Sequence, residues 1–569
     1  MAKYVFVALV FFGITGCNEK TEPKPAPQET IVVEPPQKLT GPLAHILEPA
    51  DTLLLSDFVN QKLEFAETKA EIKIEGITIK HYTELANSYA ANQFKALWVT
   101  SAVADSVVNA IIAASADGLN PADYHIKKIE ELLEKAKQEQ EKDLSAIAEL
   151  DILMTEALLE FGEDLLVGKV DPTTQNHFYN FKARELTQPV QELLVACSKN
   201  EDLQSFFKAV RPQSLYYENM QASLKKYQAL ADAGGWAKIN WPAKLKLEPN
   251  DTNINVLQLR DRLRAEGFLD STKSANDTVY DPQVQAAMLA FQFAHGLNTD
   301  TVVGPATIKL LNISAQQKVD AIICNLERLR WGVGNLQGTY ILVNAAEYRL
   351  YYFVADSLEF STEVIIGKQH HETPFFTADL SSIVINPTWT VPYSIATKEM
   401  LPKLKKNPSY LASQNMVLLN HSGEVIDAAS INFSQYTSRN FPFIIRQEPG
   451  DNNALGHVKF NMPNPYSIYL HDTPSRSLFS KDERAFSHGC IRVNKPLELA
   501  KRILEKQESW TLDSINSIVK THLLTTVKLE QPIPVLLTYI TTYTDAQQHT
   551  FFFADVYNRD NLLLQELRN

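Results

Sequence analysis

Apolar residues recur every three to four positions through 147–167 and again through 190–210, the spacing of helices that bury one face. Pro189 stands at the head of the second run, where a first helical turn tolerates a residue without an N–H. Gly168-Lys169-Val170-Asp171-Pro172 closes the first run with a glycine and a following proline. Gly118-Leu119-Asn120-Pro121-Ala122-Asp123-Tyr124 reads as a turn. The pattern predicts a mostly helical body over 43–245. A shorter stripe of Val256, Leu257, Leu259 and Leu263 predicts a helix ending at Gly267. From Gly338 the character changes to β-branched and aromatic runs. Residues 340–343 and 349–354 predict two strands joined by a hairpin turn at Asn344-Ala345-Ala346-Glu347. Further strands are expected at 361–366, 381–385, 466–470 and 533–539, and a paired strand or buried turn at 551–557. The stretch 395–452 interrupts this β pattern with a helical 398–406 and a polar turn at His421-Ser422-Gly423-Glu424. After residue 494 the chain predicts an amphipathic helix over 495–506.

The 569 residues exceed what one core serves, so several domains are expected. The net charge of −13, with no basic stripe interleaved with aromatics, disfavours nucleic-acid binding. Before the helical body the picture differs. Lys3 precedes an apolar run over 4–14, too short to span a bilayer and suited to an export signal. It ends in Ile14-Thr15-Gly16-Cys17, which resembles a lipobox whose cysteine takes a lipid; the other reading is an uncleaved anchor or a signal cut elsewhere. Asn18 rather than an aspartate follows Cys17, so the resemblance implies a periplasm-facing outer-membrane lipoprotein. Pro23, Pro25, Pro27, Pro35, Pro36 and Pro42 among polar residues predict an extended tether over 18–42.

Cys490 carries the sharpest chemical signal. It sits in Ser487-His488-Gly489-Cys490-Ile491-Arg492-Val493, nineteen residues after His471 in Tyr469-Leu470-His471-Asp472-Thr473. A thiol is a strong nucleophile only as the thiolate, and an imidazole can take its proton. In an extended segment His488 and Cys490 share a face. Gly489 permits a tight turn and frees an N–H for an oxyanion. Arg476, Lys481, Arg484 and Arg492 nearby are expected to lower the thiol pKa. The competing reading, a buried structural cysteine, fits these polar surroundings poorly. Cys197 and Cys324 lie in apolar helical runs and are either paired or buried free thiols. No cysteine or histidine cluster has zinc spacing, so neither metal nor cofactor is expected. His370-His371 reads as surface or cleft lining.

His471 with Ser487-His488-Gly489-Cys490 and Arg492 resembles the signature of the L,D-transpeptidase (YkuD) catalytic domain. Asn386-Pro387-Thr388-Trp389-Thr390-Val391-Pro392, Arg446-Gln447-Glu448-Pro449-Gly450, Asn453-Ala454-Leu455-Gly456 and Lys459-Phe460 are similar to the large, multidomain YcbB-type members. A second module resembles a small three-helix peptidoglycan-binding domain, through Tyr280-Asp281-Pro282, Phe291-Gln292, Gly296-Leu297 and Val303-Gly304-Pro305. That family usually places Asp-Gly before its Val-Gly; here Asp300 is followed by Thr301-Val302. The module either binds glycan or only packs on the scaffold.

The resemblance implies a fold class and a division of the chain. The class is multidomain α+β: a helical scaffold, the peptidoglycan-binding-like module and a β-rich catalytic domain with a capping insertion. The expected segments are a signal peptide over 1–17, a tether over 18–42 and the scaffold over 43–245. The module follows over 246–316, a connecting helix over 317–337 and the catalytic domain over 338–510, with the cap at about 395–452. A C-terminal segment over 511–569 packs on the scaffold or the catalytic domain. The implied reaction is 3-3 cross-linking of peptidoglycan stems through a Cys490 thioester with release of D-alanine. The alternatives are an L,D-carboxypeptidase or endopeptidase using the same site, and a non-catalytic wall-binding anchor. By resemblance His471 is the general base, the Asp472 carbonyl orients it, His488 shapes the site, and the Gly489 and Cys490 N–H groups meet the oxyanion. Arg492 holds a substrate carboxylate or forms a structural ion pair. Ser487, Trp389 and Tyr393 line the stem groove, core packing being the other reading for Trp389. Stem peptides, glycan strands and the outer membrane, reached through the Cys17 lipid, are the implied partners.

Overall fold

A computed structural model describes residues 39–64, 72–138, 142–174, 179–181, 184–270, 278–333, 336–507 and 510–569. The expected signal peptide, Cys17 and most of the expected tether lie outside these residues. The last expected tether residues are already part of the scaffold: Thr40 N–H donates to the Thr100 carbonyl (3.3 Å) and Thr40 Oγ1 accepts from Ala102 N–H (3.1 Å).

Helix α1 (Leu144–Val167) runs through the scaffold core and is buried on nearly every side. An acid in its middle, Asp151, is fully buried because it does the work of a cap. Its carboxylate accepts the backbone N–H groups of Leu97 (2.8 Å), Trp98 (2.8 Å) and Val99 (2.9 Å). Helix α2 (Leu215–Asp232) leaves this bundle and packs on the helix Ala315–Arg328.

The next module has its own core around Val256, Leu263, Tyr280 and Phe291, on α3 (Val256–Glu266), α4 (Pro282–Ala294) and α5 (Pro305–Leu311). Helix α6 (Ala315–Arg328) is more than the expected connector, since it joins this module to α2 through buried charge. Glu266 receives Arg262 Nη2 (2.7 Å), the Lys318 ammonium and the Tyr227 hydroxyl (2.8 Å). Buried charges persist when they are paired and hydrogen-bonded in this way. The missing glycine of the module's turn is accounted for. Thr301 takes the left-handed backbone itself (φ 61°), and its N–H donates to Gln292 Oε1 (2.8 Å).

The catalytic region is a closed sheet. Its strands are β1 (Tyr340–Asn344), β2 (Arg349–Val354), β3 (Ser357–Gly367), β4 (Phe375–Ile385), β5 (Val458–Asn461), β6 (Leu470–His471), β7 (Ile491–Val493) and β8 (Thr525–Thr538). The order is β5-β6-β7-β3-β2-β1-β8-β4, and β4 closes back onto β5. The segment expected to pack outside the domain from residue 511 therefore supplies β8, which lies between β1 and β4. Val535 and Leu537 of β8 are fully buried, so the core is incomplete without them. The segment then adds a hairpin, Thr542–Thr544 with Thr550–Phe552, against α2, and a last helix, α7 (Arg559–Arg568), against α6.

The insertion between β4 and β5 is a small unit with its own core, including Val391, Leu401, Leu404, Leu418 and Ile445. Its sheet contains Trp389–Thr390, Met416–Leu419, Val425–Ile426 and Ile444–Gln447. It thus begins with Trp389, ahead of the expected residue 395.

Candidate active site

Strands β5, β6 and β7 lie side by side, and their register builds the site. Phe460 pairs with Leu470 and Leu470 with Ile491; all three are buried on the core face. Side chains alternate across a sheet, so the neighbouring row points the other way. That row is Lys459–His471–Arg492, with His471 in register with both partners. One step earlier on the same face stand Tyr469 and Cys490, and Lys459 Nζ lies 4.3 Å from the Tyr469 ring centroid.

The expected strand over 466–470 is real only at its end. Asn464 Oδ1 accepts the N–H groups of Tyr466 (3.0 Å) and Ile468 (3.1 Å), and Ser467 is left-handed (φ 57°), so the chain turns here. The turn aims the Ser467 carbonyl at the thiol, with Cys490 Sγ 3.8 Å from the oxygen. No hydrogen bond joins Cys490 to His471 among the described residues. Such contacts commonly tighten only once substrate binds.

His471 is buried, and its Nδ1 lies 2.5 Å from the Asp472 carbonyl. A carbonyl only accepts, so Nδ1 carries the proton and Nε2 keeps its lone pair. Burial, then the Arg492 charge, depress the imidazole to about 3, against the pull of the Asp472 carbonyl; Lys459 adds to the depression. His471 is therefore a neutral base at neutral pH. The Asp472 carboxylate anchors that carbonyl. It accepts His457 N–H (2.8 Å) and Thr473 N–H (2.6 Å) and pairs with Arg476. Gly456 packs on it so closely that an added Cβ would lie 2.3 Å from Asp472 Cγ, and its φ is +60°. Gly456→Ala is expected to cost about 2–4 kcal/mol, from overpacking and left-handed strain together. It should also lower turnover, because the His471 anchor is displaced. Thermal unfolding and acylation rates check this, and a variant matching the wild type in both would refute the anchoring role.

The expected lowering of the Cys490 pKa is corrected. Burial pushes the thiol above its ordinary value, although the Tyr469 N–H and hydroxyl and the Lys459 and Arg492 charges oppose it. Two of the cations counted from the sequence are engaged elsewhere: Arg476 pairs with Asp472, and Arg484 donates to the Lys481 carbonyl (2.7 Å). The resting pair is neutral thiol with neutral imidazole.

The nucleophile loop is not extended, so His488 and Cys490 do not share a strand face. Gly489 has φ +115° and breaks the alternation between the strand Ala485–Ser487 and β7. Ser487, expected to meet substrate, is buried and holds the loop closed: its hydroxyl donates to the Cys490 carbonyl (2.6 Å) and accepts Gly489 N–H (3.1 Å). The Gly489 N–H, expected to serve an oxyanion, is thereby engaged. His488 faces outward. Its Nε2 lies 2.8 Å from Glu399 of the insertion, and its ring sits 4.9 Å from that of His371, which places His371 at the cleft.

Arg492 forms no ion pair among the described residues, and its Nε is buried without a partner, so the structural-pair reading falls. Lys459 likewise has no carboxylate beside it. Trp389 packs partly against the insertion's core. Tyr393 is 51% exposed at the start of the insertion's first helical turn. Cys197 and Cys324 are free and buried. Among the described residues no group of His, Cys, Asp or Glu is arranged to hold a metal ion. Sequence reasoning missed Lys459, Tyr469 and Glu399 as parts of this site. In the sequence Lys459 and Tyr469 stand only as members of motif or strand segments, and sheet register alone gives them a role.

Residues 338–519 match the family described as "L,D-transpeptidase catalytic domain", residues 83–224 a "Scaffold domain" and residues 252–311 a "Putative peptidoglycan binding domain". A curated protein of Haemophilus influenzae, described as "Putative L,D-transpeptidase", is 37% identical over 220 residues. That match covers 39% of this chain and 44% of the relative, so it spans less than half of the relative's length. Among solved structures, an L,D-transpeptidase from Xylanimonas cellulosilytica is 16% identical, covering 52% of this chain and 100% of that one at a TM-score of 0.16. An L,D-transpeptidase from Stackebrandtia nassauensis is 12% identical, covering 52% and 97% at a TM-score of 0.20. Superpositions at these scores are too loose to transfer geometry.

Proposed function

We propose that the chain, whose residues 338–519 match the L,D-transpeptidase (YkuD) catalytic domain, cross-links peptidoglycan stems by acyl transfer through Cys490. The observation that carries this reading is the row on one sheet face: a thiol, an imidazole whose Nε2 is free, and two cations without carboxylate partners.

In the proposed reaction Cys490 Sγ attacks the carbonyl of the stem's third residue, while His471 Nε2 takes the thiol proton. The peptide C–N bond breaks, and His471 returns that proton to the departing amine of D-alanine. A thioester on Cys490 remains. The side-chain amine of a second stem attacks it, giving a 3-3 link and restoring the thiol. The bond broken drives the bond made. Arg492 and Lys459 are suited to hold a substrate carboxylate. The insertion, touching the loop at His488 through Glu399, acts as a cap that excludes competing water. Cys17 is read as the lipid site that keeps the enzyme at the periplasmic face of the outer membrane, within reach of the wall.

Incubation with glycan bearing tetrapeptide stems, followed by muropeptide analysis, tests the reading. Cross-linked dimers with free D-alanine are expected. Tripeptide monomers alone would make the protein a hydrolase, and an unchanged glycan together with an unreactive Cys490 would make it an anchor.

A further inference from the structure

We propose that Thr373 is a positioning residue that aims the Cys490 N–H at the oxyanion; this rests on the acyl-transfer reading above. Of the two N–H groups expected to serve that role, Gly489 N–H is engaged by Ser487 Oγ (3.1 Å). Cys490 N–H donates to no group among the described residues. It belongs to the same peptide unit as the Gly489 carbonyl, and that carbonyl accepts a hydrogen bond from Thr373 Oγ1 (2.8 Å).

The peptide is trans, as all those described are. Its C=O and N–H therefore point in opposite directions within one rigid plane. Holding the carbonyl on the buried side fixes the N–H pointing away from it. Thr373 is itself fixed. It is fully buried, and Gly367 N–H donates to its Oγ1 (3.0 Å), so the hydroxyl hydrogen is left to point at Gly489. The Tyr557 hydroxyl braces the turn from the C-terminal segment by donating to the Gly367 carbonyl (2.5 Å). Gly367 has no space for a side chain, since a Cβ there would lie 2.0 Å from the His371 carbonyl oxygen. The peptide plane at Cys490 is thus set by a hydroxyl 116 residues earlier in the chain. A donor held in place before reaction needs no reorganisation as charge develops on the substrate oxygen.

The test uses the full chain, with a carbapenem and iodoacetamide as probes of Cys490, both followed by mass spectrometry. The carbapenem opens its lactam C–N bond to form a thioester and needs the oxyanion donor. Iodoacetamide alkylates the sulfur and does not. Thr373→Val keeps the shape and loses the hydroxyl, so carbapenem acylation should fall about 10- to 100-fold with alkylation unchanged, somewhat less than the loss of a donor outright. Thr373→Ser should recover most of the rate. If Val does not fold, Thr373→Ala is the second variant, and the same separation of the two rates is expected. Acylation unchanged in these variants, both probes falling together, or Ser as slow as Val would overturn the inference. A wild type that alkylates but takes no carbapenem would overturn the acyl-transfer reading itself.

Discussion

Cys490→Ala is expected to abolish turnover, by at least about 10⁴-fold, while leaving the protein folded. The two halves of that result have separate causes. The sulfur is the only atom that changes the chemistry, because the reaction requires a covalent thioester and no neighbouring hydroxyl can replace it. Ser487, the nearest hydroxyl in sequence, is buried with that group engaged in the loop. Stability should hardly change, since Cys490 is partly exposed and its backbone neighbours, not its sulfur, tie the loop to the sheet. Ile491 N–H donates to the Tyr469 carbonyl (3.1 Å) and Thr373 holds the Gly489 carbonyl (2.8 Å) whatever stands at 490. The cost should stay within about 0.5–1 kcal/mol. Turnover of stem peptides and the thermal midpoint, measured on one preparation, check both halves. Turnover persisting above background in a folded variant would remove Cys490 from the mechanism.

What the sequence disclosed follows the distance over which each feature is encoded. The helices of the scaffold and the paired strands around the turn at 344–347 rest on local periodicity and form where the pattern puts them, except that the run over 190–210 breaks at left-handed Glu201 into two helices. The nucleophile and base were visible because His471 and Cys490 fall within one short stretch. Their partners were not. Lys459 reaches the site only because β5 pairs with β6 in one register, and a shift of one residue would turn it into the core. Thr373 arrives by closure of the sheet and carries no motif of its own. The edge of the catalytic domain was misplaced for a related reason. A central strand that follows a helix and a loop, as β8 does, looks from the sequence like the start of a new segment. The sign of the thiol shift failed because charges were counted along the chain, whereas burial and the actual pairing of Arg476 decide it. Similarly, the glycine at 489 suggests a free donor, but the side chain two residues earlier occupies its N–H.

His471→Gln is expected to slow acylation of Cys490 by about 10²–10⁴-fold, the range for losing a general base. The pH dependence identifies how the base works. The His471 imidazole, held near 3 by burial and by Arg492, is already deprotonated in the resting protein. The Cys490 thiol, raised by burial, is still protonated. The proton must therefore move during the attack and not before it. Two results follow. Acylation by a carbapenem should show no acid limb from His471 between about pH 4 and 8. Alkylation by iodoacetamide should instead climb with pH and remain unsaturated past about 9, because it waits for free thiolate. In the Gln variant the first reaction collapses onto the second's profile, since only thiolate is left to react. The same depression has a stability sign. Between the ordinary value of 6.5 and about 3 the unfolded chain binds a proton that the folded chain refuses, so stability falls as pH drops through that window, and Gln at 471 should lessen the fall. A wild-type alkylation rate already level at neutral pH would mean a preformed thiolate–imidazolium pair, and it would reverse the order of proton transfer argued here.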